Sequence, residues 1–312
     1  MKRMIALDGG TTNTRLTLME DGVIKSRIKL AVGARDGRSA LVNAVKGALL
    51  NFLSENGLCE NDISHIAVSG MATSELGLYN VPHITAPAGG SELREASVTV
   101  KLSEICEIPF KFIPGIKTFS DADASLFSMD IMRGEEAEAV AILEQMKLKS
   151  GKVTLILPGS HMKAVNCADG RIVGFSTSLT GELSRASAEN TILKNSVGDA
   201  FTKDIDTEFL CMGYDLADRL GVGSALFKLR VAGNFKGVPK EKLYASLLGI
   251  ILHDDVKLIT NAAADTVAVA GSDPFRTAYL ELLRGKTSDL REVPEELAEN
   301  AAAYGAWTIT ND

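Results

Sequence analysis

The sequence lacks most of the short motifs that would assign a chemistry at once. Its four cysteines and four histidines form no CxxC pair and no HExxH group, which argues against a structural zinc site and indicates reduced thiols. No GxxxxGK[ST] loop, no GxGxxG turn and no GxSxG elbow is present. P-loop, dinucleotide-binding and α/β-hydrolase chemistry are therefore disfavoured.

The chain also has no net positive charge and no long apolar run. The formal net charge of −7 argues against a protein that binds nucleic acid or an anionic membrane surface. No apolar run approaches the roughly 20 residues of a membrane span, and no apolar leader precedes the first strand. We expect a cytoplasmic protein with a small-molecule partner, and a homodimer is left open. A length of 312 residues suggests two domains.

The first third of the chain predicts a meander of three strands, first a buried apolar strand and then two strands that alternate. Asp21 and Gly22 supply a tight turn between the second and third strands. An amphipathic helix and another apolar strand follow, and that strand can join the sheet in parallel. The predicted strands are 4–8, 15–20, 23–31 and 63–70, and the predicted helix is 39–57.

The same order returns about 150 residues later. An apolar strand, a polar turn, two strands joined by Ala-Asp-Gly and then helices repeat the first pattern with different letters, which indicates a duplicated α/β unit. The predicted strands are 153–159, 163–179 (a pair) and 265–272, and the predicted helices are 130–148, 181–193, 242–259 and 274–285.

Two turns after buried strands are rich in hydrogen-bonding groups, namely "DGGTTNTR" (8–15) and "LPGSHMK" (157–163). Converging backbone N–H groups are fixed donors for phosphate, and glycines allow close approach. Asp8 would bind the water shell of Mg²⁺, because its charge repels phosphate. The candidate nucleotide-binding residues are Gly9, Gly10, Thr11, Thr12, Asn13, Arg15, Gly159, Ser160, His161 and Lys163.

Three of these residues have structural alternatives. Arg15 could equally reach a cross-strand acid, and Lys163 could cover the edge of the sheet with its stem. A lone histidine such as His161 more often donates a structural hydrogen bond than it moves a proton.

A third turn, "VAVAGSDPF" (267–275), runs from a buried strand into a helix. In that position Gly271 and Ser272 would seat an adenine ring.

These three segments resemble the phosphate-1, phosphate-2 and adenosine segments of the sugar-kinase, actin and heat-shock ATPase superfamily. Within it, "GMATSELGLYNVPHITAP" (70–87), "IPG" (113–115), "MRGEEAEAVAIL" (132–143) and "SLTGEL" (178–183) resemble the 2-dehydro-3-deoxygalactonokinase family. That resemblance implies phosphorylation of 2-dehydro-3-deoxy-D-galactonate at its terminal hydroxyl, in galactonate catabolism, with ATP and Mg²⁺.

The resemblance also implies an architecture. We expect two ribonuclease-H-like lobes of the actin-like ATPase type, each a mixed five-stranded sheet flanked by helices, with a cleft between them. The expected N-terminal lobe is 1–130 and the C-terminal lobe 131–312, with the last helix as a candidate to pack back at their junction. A kinase for another sugar or amino sugar, and a regulatory actin-like ATPase, are the alternative functions.

In related sugar kinases the general base is a carboxylate that opens the helix before the phosphate-2 hairpin. That position is Glu135, and its neighbour Glu136 and Asp130 stay open as alternatives. A helix dipole stabilises such a carboxylate, although acidic residues also favour the first turn of an ordinary solvated helix. An arginine suits the substrate's carboxylate because its fork can donate to both oxygens. The candidate substrate-binding residues are Ser69, Met71, Thr73, Ser74 and Arg133.

Overall fold

The chain divides into two compact units. The computed structural model describes residues 1–119, 125, 127–198 and 201–311. One unit is Met1–Ser150 with Asp169–Gly174 and Glu299–Asp312. The other is Gly151–Ala168 with Phe175–Ala298. The interdomain cleft stays a prediction.

The first unit is built on a six-stranded sheet of order β3-β2-β1-β4-β7-β6. Its central strand β1 carries a buried apolar run, Met4–Leu7, and lies between β2, which is antiparallel, and β4, which is parallel. A small second sheet has the order β5-β8-β9. The elements are β1 (Arg3–Gly9), β2 (Thr14–Glu20), β3 (Val23–Leu30), α1 (Arg38–Glu55), β4 (Ile66–Gly70), β5 (Ile84–Thr85), α2 (Gly90–Ala96), β6 (Val98–Val100), β7 (Phe110–Phe112), β8 (Ile116–Lys117), β9 (Ile131–Met132) and α3 (Glu135–Gln145).

The second unit has a five-stranded sheet of order β12-β11-β10-β13-β14. The long helix α8 is buried over most of its length, and it packs closely against α6. Gly213 and Gly249 permit that approach, since a side chain on either would strike the backbone of the opposite helix. The elements are β10 (Lys152–Leu157), β11 (Met162–Ala168), β12 (Arg171–Ser178), α4 (Thr180–Asn190), α5 (Lys194–Val197), α6 (Thr207–Leu220), α7 (Val222–Lys236), α8 (Lys240–Asn261), β13 (Thr266–Val269), α9 (Phe275–Leu283), β14 (Leu290–Glu292) and α10 (Glu295–Thr310).

The two sheets repeat one topology, which confirms the predicted duplication. In each, a meander of three strands is followed by two further parallel strands, β4 and β7 in one sheet and β13 and β14 in the other. The expectation of five strands was wrong for the first sheet. Its sixth strand, β6, is only three residues long, too short to give an alternating signal.

The predicted domain boundary at residue 130 falls within the span of the first unit. Helix α3 belongs to the first unit, which continues to Ser150. It packs there because Gly134 lies against Gly70 and because Gly305 of α10 lies on the Ala137 carbonyl of α3. Residues 299–312 likewise belong to the first unit.

In the described part of the chain, no helix combines the length and apolarity needed to cross a bilayer.

Candidate active site

The first polar turn joins β1 to β2 and is backed by neighbouring backbone. Gly10 donates its N–H to the Asn13 carbonyl (2.8 Å), and Ala34 donates to the Gly10 carbonyl (3.0 Å). Gly33 needs to be a glycine, since a Cβ there would collide with the Thr11 carbonyl. The side chains of Thr11 and Thr12 are exposed. The turn is thus a braced tip whose hydroxyls face solvent, as a phosphate site requires.

Asp8 and Arg15 face each other across the first hairpin. They are directly paired in the register of β1 and β2, and Arg15 Nη1 lies 2.9 Å from Asp8 Oδ2. Arg15 is about half exposed and Asp8 about one quarter exposed. Of the two interpretations of Arg15, the structure shows the cross-strand ion pair.

Helix α3 begins beside Asp8 at the carboxyl edge of this sheet. Gly70 ends β4 with a positive φ of 72°, and a Cβ there would lie 2.5 Å from the Gly9 carbonyl and 3.3 Å from Asp8 Oδ1. Gly134, with φ 116°, precedes the helix, and its own Cβ would lie 3.1 Å from the Gly70 Cα. Gly70 and Gly134, which are neighbours in space, therefore allow the N-terminus of α3 to approach Asp8.

Three glutamates open α3, and their environments differ. Glu136 is completely buried, and both its carboxylate oxygens accept the Gly134 N–H at 2.8 Å. Burial, and then the charge of Glu135, raises the pKa of Glu136 to about 8. Burial, followed by the charges of Glu135 and Asp8, also raises the pKa of Glu138 to about 8.

Glu135, like Glu138, is partly exposed. Its Oε2 accepts the Arg133 backbone N–H at 3.1 Å. Asp130, the third candidate base, lies before β9, where its Oδ1 accepts the Ile131 N–H. Glu135 is thus a partly exposed carboxylate at the first position of α3.

Arg133 has protein partners for most of its donors. Its Nη1 donates to the carbonyl (2.8 Å) and hydroxyl (2.5 Å) of Thr73, and its Nη2 donates to the Val81 carbonyl (2.9 Å). The same Nη2 lies 3.2 Å from His83 Nδ1. Burial, and then the charge of Arg133, lowers the pKa of His83 to about 4. The structure therefore shows Arg133 holding the 71–83 segment.

The predicted polar residues after β4 shape that same segment. Ser69 is buried and paired in register with Asp8. Thr73 donates its hydroxyl to the Gly70 carbonyl (3.0 Å), and Ser74 donates to the carbonyl of Met71 (2.7 Å). These two hydroxyls satisfy backbone of their own turn.

The second polar turn, residues 158–161, joins β10 to β11 and contacts the start of α4. Glu182 donates its N–H to the Ser160 carbonyl (3.2 Å), and its carboxylate lies 3.0 Å from His161 Nε2. Gly181 lies so close to the Gly159 carbonyl that a Cβ would collide with it. The N-terminus of α4 thus lies against this turn, and helix N-termini favour phosphate.

A buried polar group fixes that helix start. Asp255 of α8 accepts the hydroxyls of Thr180 (2.5 Å) and Tyr279 (2.6 Å). All three side chains are buried.

Lys163 is also buried, and its ammonium donates to the Thr177 hydroxyl (2.6 Å). Because this lysine lies inside the unit, a direct phosphate contact by Lys163 stays a prediction.

A cavity of about 380 Å³ opens beside this turn, within the second unit. It brings together Gly159 and Ser160 with Ser272, which the sequence predicted as one nucleotide site. Gly271 acts one residue earlier, because with φ 86° it lets the chain pass close to the ring of Pro158. Other residues of the wall carry no local sequence signal and were not predicted, among them Gly181, Ser184, Arg185, Phe201, Tyr244 and Phe275.

The fold is that of the actin-like ATPases and sugar kinases. The crystal structure of a Sinorhizobium meliloti protein, named as a candidate 2-dehydro-3-deoxygalactonokinase, matches with a TM-score of 0.76 at 23% identity over 97% of this chain and 98% of that one. The Clostridium difficile activator of 2-hydroxyisocaproyl-CoA dehydratase, solved with ADPNP, matches with a TM-score of 0.51 at 13% identity over 99% and 94%.

Sequence comparison narrows this class to one family. The model of the 2-keto-3-deoxy-galactonokinase family matches residues 8–309, so the chain belongs to that family. A Rhizobium meliloti (strain 1021) protein, whose name gives 2-dehydro-3-deoxygalactonokinase as its probable activity, is 26% identical over 97% of both chains. The Escherichia coli (strain K12) 2-dehydro-3-deoxygalactonokinase is 23% identical over 96% of this chain and 95% of its own. The chain is thus an ATP-using kinase with a small-molecule substrate.

Proposed function

We propose that this enzyme transfers the γ-phosphoryl group of ATP to the terminal hydroxyl of 2-dehydro-3-deoxy-D-galactonate. The family match over residues 8–309 supports the reaction. The observation that carries the mechanism is the convergence of Asp8, Gly70 and Gly134 at the start of α3. This convergence holds a carboxylate-bearing helix start beside an acid at the end of a strand.

Glu135 is the general base of this proposal. It accepts the proton of the attacking hydroxyl while that oxygen forms its bond to the γ-phosphorus and ADP leaves. Glu136 is a poorer candidate because it is fully buried and its two oxygens already accept the Gly134 N–H. The role of Glu136 is structural: by accepting the Gly134 N–H it fixes the backbone on both sides of Glu135. Proton acceptance of this kind contributes about 10²–10⁴-fold to a rate.

Asp8 is the residue proposed to serve Mg²⁺. Among the described residues no group of three or more acidic, histidine or cysteine side chains is arranged to hold a metal. That fits Mg²⁺, which is usually bound by one or two carboxylates, water and the substrate phosphates rather than by an all-protein cage. When bound, the ion neutralises phosphate charge. Arg15, paired with Asp8 at 2.9 Å, fixes the direction of that carboxylate.

The nucleotide is assigned to the cavity of the second unit. Its phosphates are proposed to lie at Gly159, Ser160 and the first turn of α4, where backbone N–H groups and the helix dipole favour anions. The nucleoside then extends toward Ser272 and the aromatic wall formed by Phe201 and Tyr244. These two rings contact each other edge to face, with centroids 5.2 Å apart.

The sugar acid is assigned to the surroundings of the 69–74 turn. Ser69 and Met71 lie at the end of β4, on the edge that also carries Asp8. Arg133 acts mainly by holding this turn, since its terminal nitrogens donate to Thr73 and Val81. A direct bond from Arg133 to the substrate's carboxylate stays a prediction.

The experiment that tests the proposal is an ADP-release assay coupled to NADH oxidation, run on a panel of acceptors. The panel contains the galactonate-derived and gluconate-derived 2-dehydro-3-deoxy acids and neutral hexoses. We expect the highest kcat/KM with the galactonate-derived acid. ADP release with neutral sugars alone would overturn the substrate class, and ADP release without any acceptor would favour a regulatory ATPase.

A further inference from the structure

One buried hydroxyl in the second unit lacks a partner and borders the nucleotide cavity. Ser184 of α4 is 2% exposed, and its Oγ makes no hydrogen bond to any residue that the structure describes. Ser184 is also one of the residues that line the 380 Å³ cavity. An unsatisfied buried hydroxyl is costly, and most such groups acquire a partner from a ligand or water.

The position of Ser184 on its helix indicates which part of a nucleotide it would meet. It follows Gly181 by three residues, so the two lie on the same face of α4, about 4.5 Å apart along the axis. Gly181 lies against the second polar turn, where the phosphates are assigned. Ser184 is therefore about one turn further along the helix from the phosphates, and it lines the same cavity as the aromatic wall of Phe201 and Tyr244.

We propose that the Ser184 hydroxyl hydrogen-bonds the nucleoside part of the bound nucleotide and thereby sets the affinity of this kinase for ATP. The inference rests on the proposed function, because it takes the cavity to be the nucleotide site. Rotation about χ1 moves a serine hydroxyl between three staggered positions, so the group can turn toward a ligand without a backbone change. The role is one of binding and not of proton transfer.

The same unit supplies a matched control. Ser196 of α5 is 5% exposed and its Oγ also has no hydrogen-bond partner in the described chain. It lies near Gly233 of α7 and is not part of the cavity wall. Ser184→Ala and Ser196→Ala therefore remove the same atom from similar surroundings. We expect neither variant to have a lower Tm than the wild type, because each loses an unsatisfied group.

The test measures ADP binding by calorimetry, together with KM for ATP, KM for the sugar acid and kcat. We expect S184A to raise the Kd of ADP and the KM of ATP by about 3- to 12-fold, the effect of one hydrogen bond. Its kcat at saturating ATP and its KM for the sugar acid should stay within about twofold of the wild type. S196A should match the wild type throughout.

Each other result decides against the inference. If the wild type binds ADP and S184A binds it equally well, the inference fails while the proposed function stands. If S196A weakens ADP binding as much as S184A, or if S184A lowers Tm and kcat together, the serine acts through packing and the inference fails. If the wild-type enzyme does not bind ADP at all, the proposed function fails with it.

Discussion

Gly134 and Gly70 lie in contact at the edge of the first sheet, where a Cβ on Gly134 would come within 3.1 Å of the Gly70 Cα. Both have positive φ, 116° and 72° respectively, a region that residues with a side chain rarely occupy. The contact fixes the start of α3 beside Asp8. The position of Glu135, the residue after Gly134, therefore depends on both of these positions being glycine.

Replacing Gly134 by alanine should displace Glu135 and slow the reaction. The new Cβ meets backbone rather than a flexible side chain, and the positive φ adds strain of about 1–3 kcal/mol. A small misplacement of a catalytic group can cost about 10²-fold in rate, so we expect kcat to fall by about that factor in steady-state assays. Gly47→Ala is the control: Gly47 is exposed within α1 with nothing within 4 Å of its added Cβ. That change should leave kcat unaltered and stabilise the helix by about 1 kcal/mol.

Glu135→Gln should remove the base while keeping the shape of the site. The glutamine carbonyl can still accept the Arg133 N–H, so the helix start should persist. We expect kcat to fall by about 10²–10⁴-fold with the Kd of ADP unchanged by calorimetry. Glu144→Gln, at the other end of the same helix, should retain activity within about twofold. Near-normal turnover by E135Q would move the base to another residue.

The parts of this site that sequence could predict are local. Asp8 closes the buried apolar run of β1 and the exposed Thr11 and Thr12 follow that strand, and such a strand ends in a turn whichever fold surrounds it. The second turn at Gly159 and Ser160 was found in the same way. Short-range periodicity is sufficient for both hairpins, because their residues are neighbours in the chain.

The parts that sequence missed depend on contacts between distant segments. Glu135 and Glu136 are adjacent on one helix turn, and no local signal tells which of them faces the interior. The guanidinium of Arg133 is well suited to binding a carboxylate. Its terminal nitrogens instead donate hydrogen bonds to Thr73 and Val81, which lie about 50 to 60 residues earlier in the chain. The aromatic wall pairs Phe201 with Tyr244, which are far apart in the chain. The segment between them contains α6 and α7, two helices that were not predicted from the sequence.

Glu136→Gln should change how stability depends on pH. The pKa of Glu136 is about 8 in the folded chain, against an ordinary value of 4.5 for a glutamate. Between these values the folded state holds the proton and the unfolded state does not, so this group lowers the unfolding free energy as pH rises, by at most about 1.4 kcal/mol per pH unit. The neutral glutamine lacks this dependence. Relative to the wild type, E136Q should therefore gain Tm steadily from pH 5 to pH 8, and a constant difference across that range would contradict the burial of a carboxyl there.

Asp8→Asn should weaken the response to magnesium without unfolding the first unit. Folding should change little, because Asp8 and Arg15 are about one quarter and one half exposed, and a surface ion pair contributes only about 0–1 kcal/mol. The amide removes the charge that would order water around Mg²⁺, so we expect the Mg²⁺ concentration for half-maximal activity to rise about tenfold, equivalent to roughly 1.4 kcal/mol. Asp21→Asn is the matched control, since Asp21 lies in the turn between β2 and β3 with φ 46°, which asparagine tolerates. An unchanged magnesium titration for D8N, or an equal shift for D21N, would show that Asp8 has no special relation to the metal.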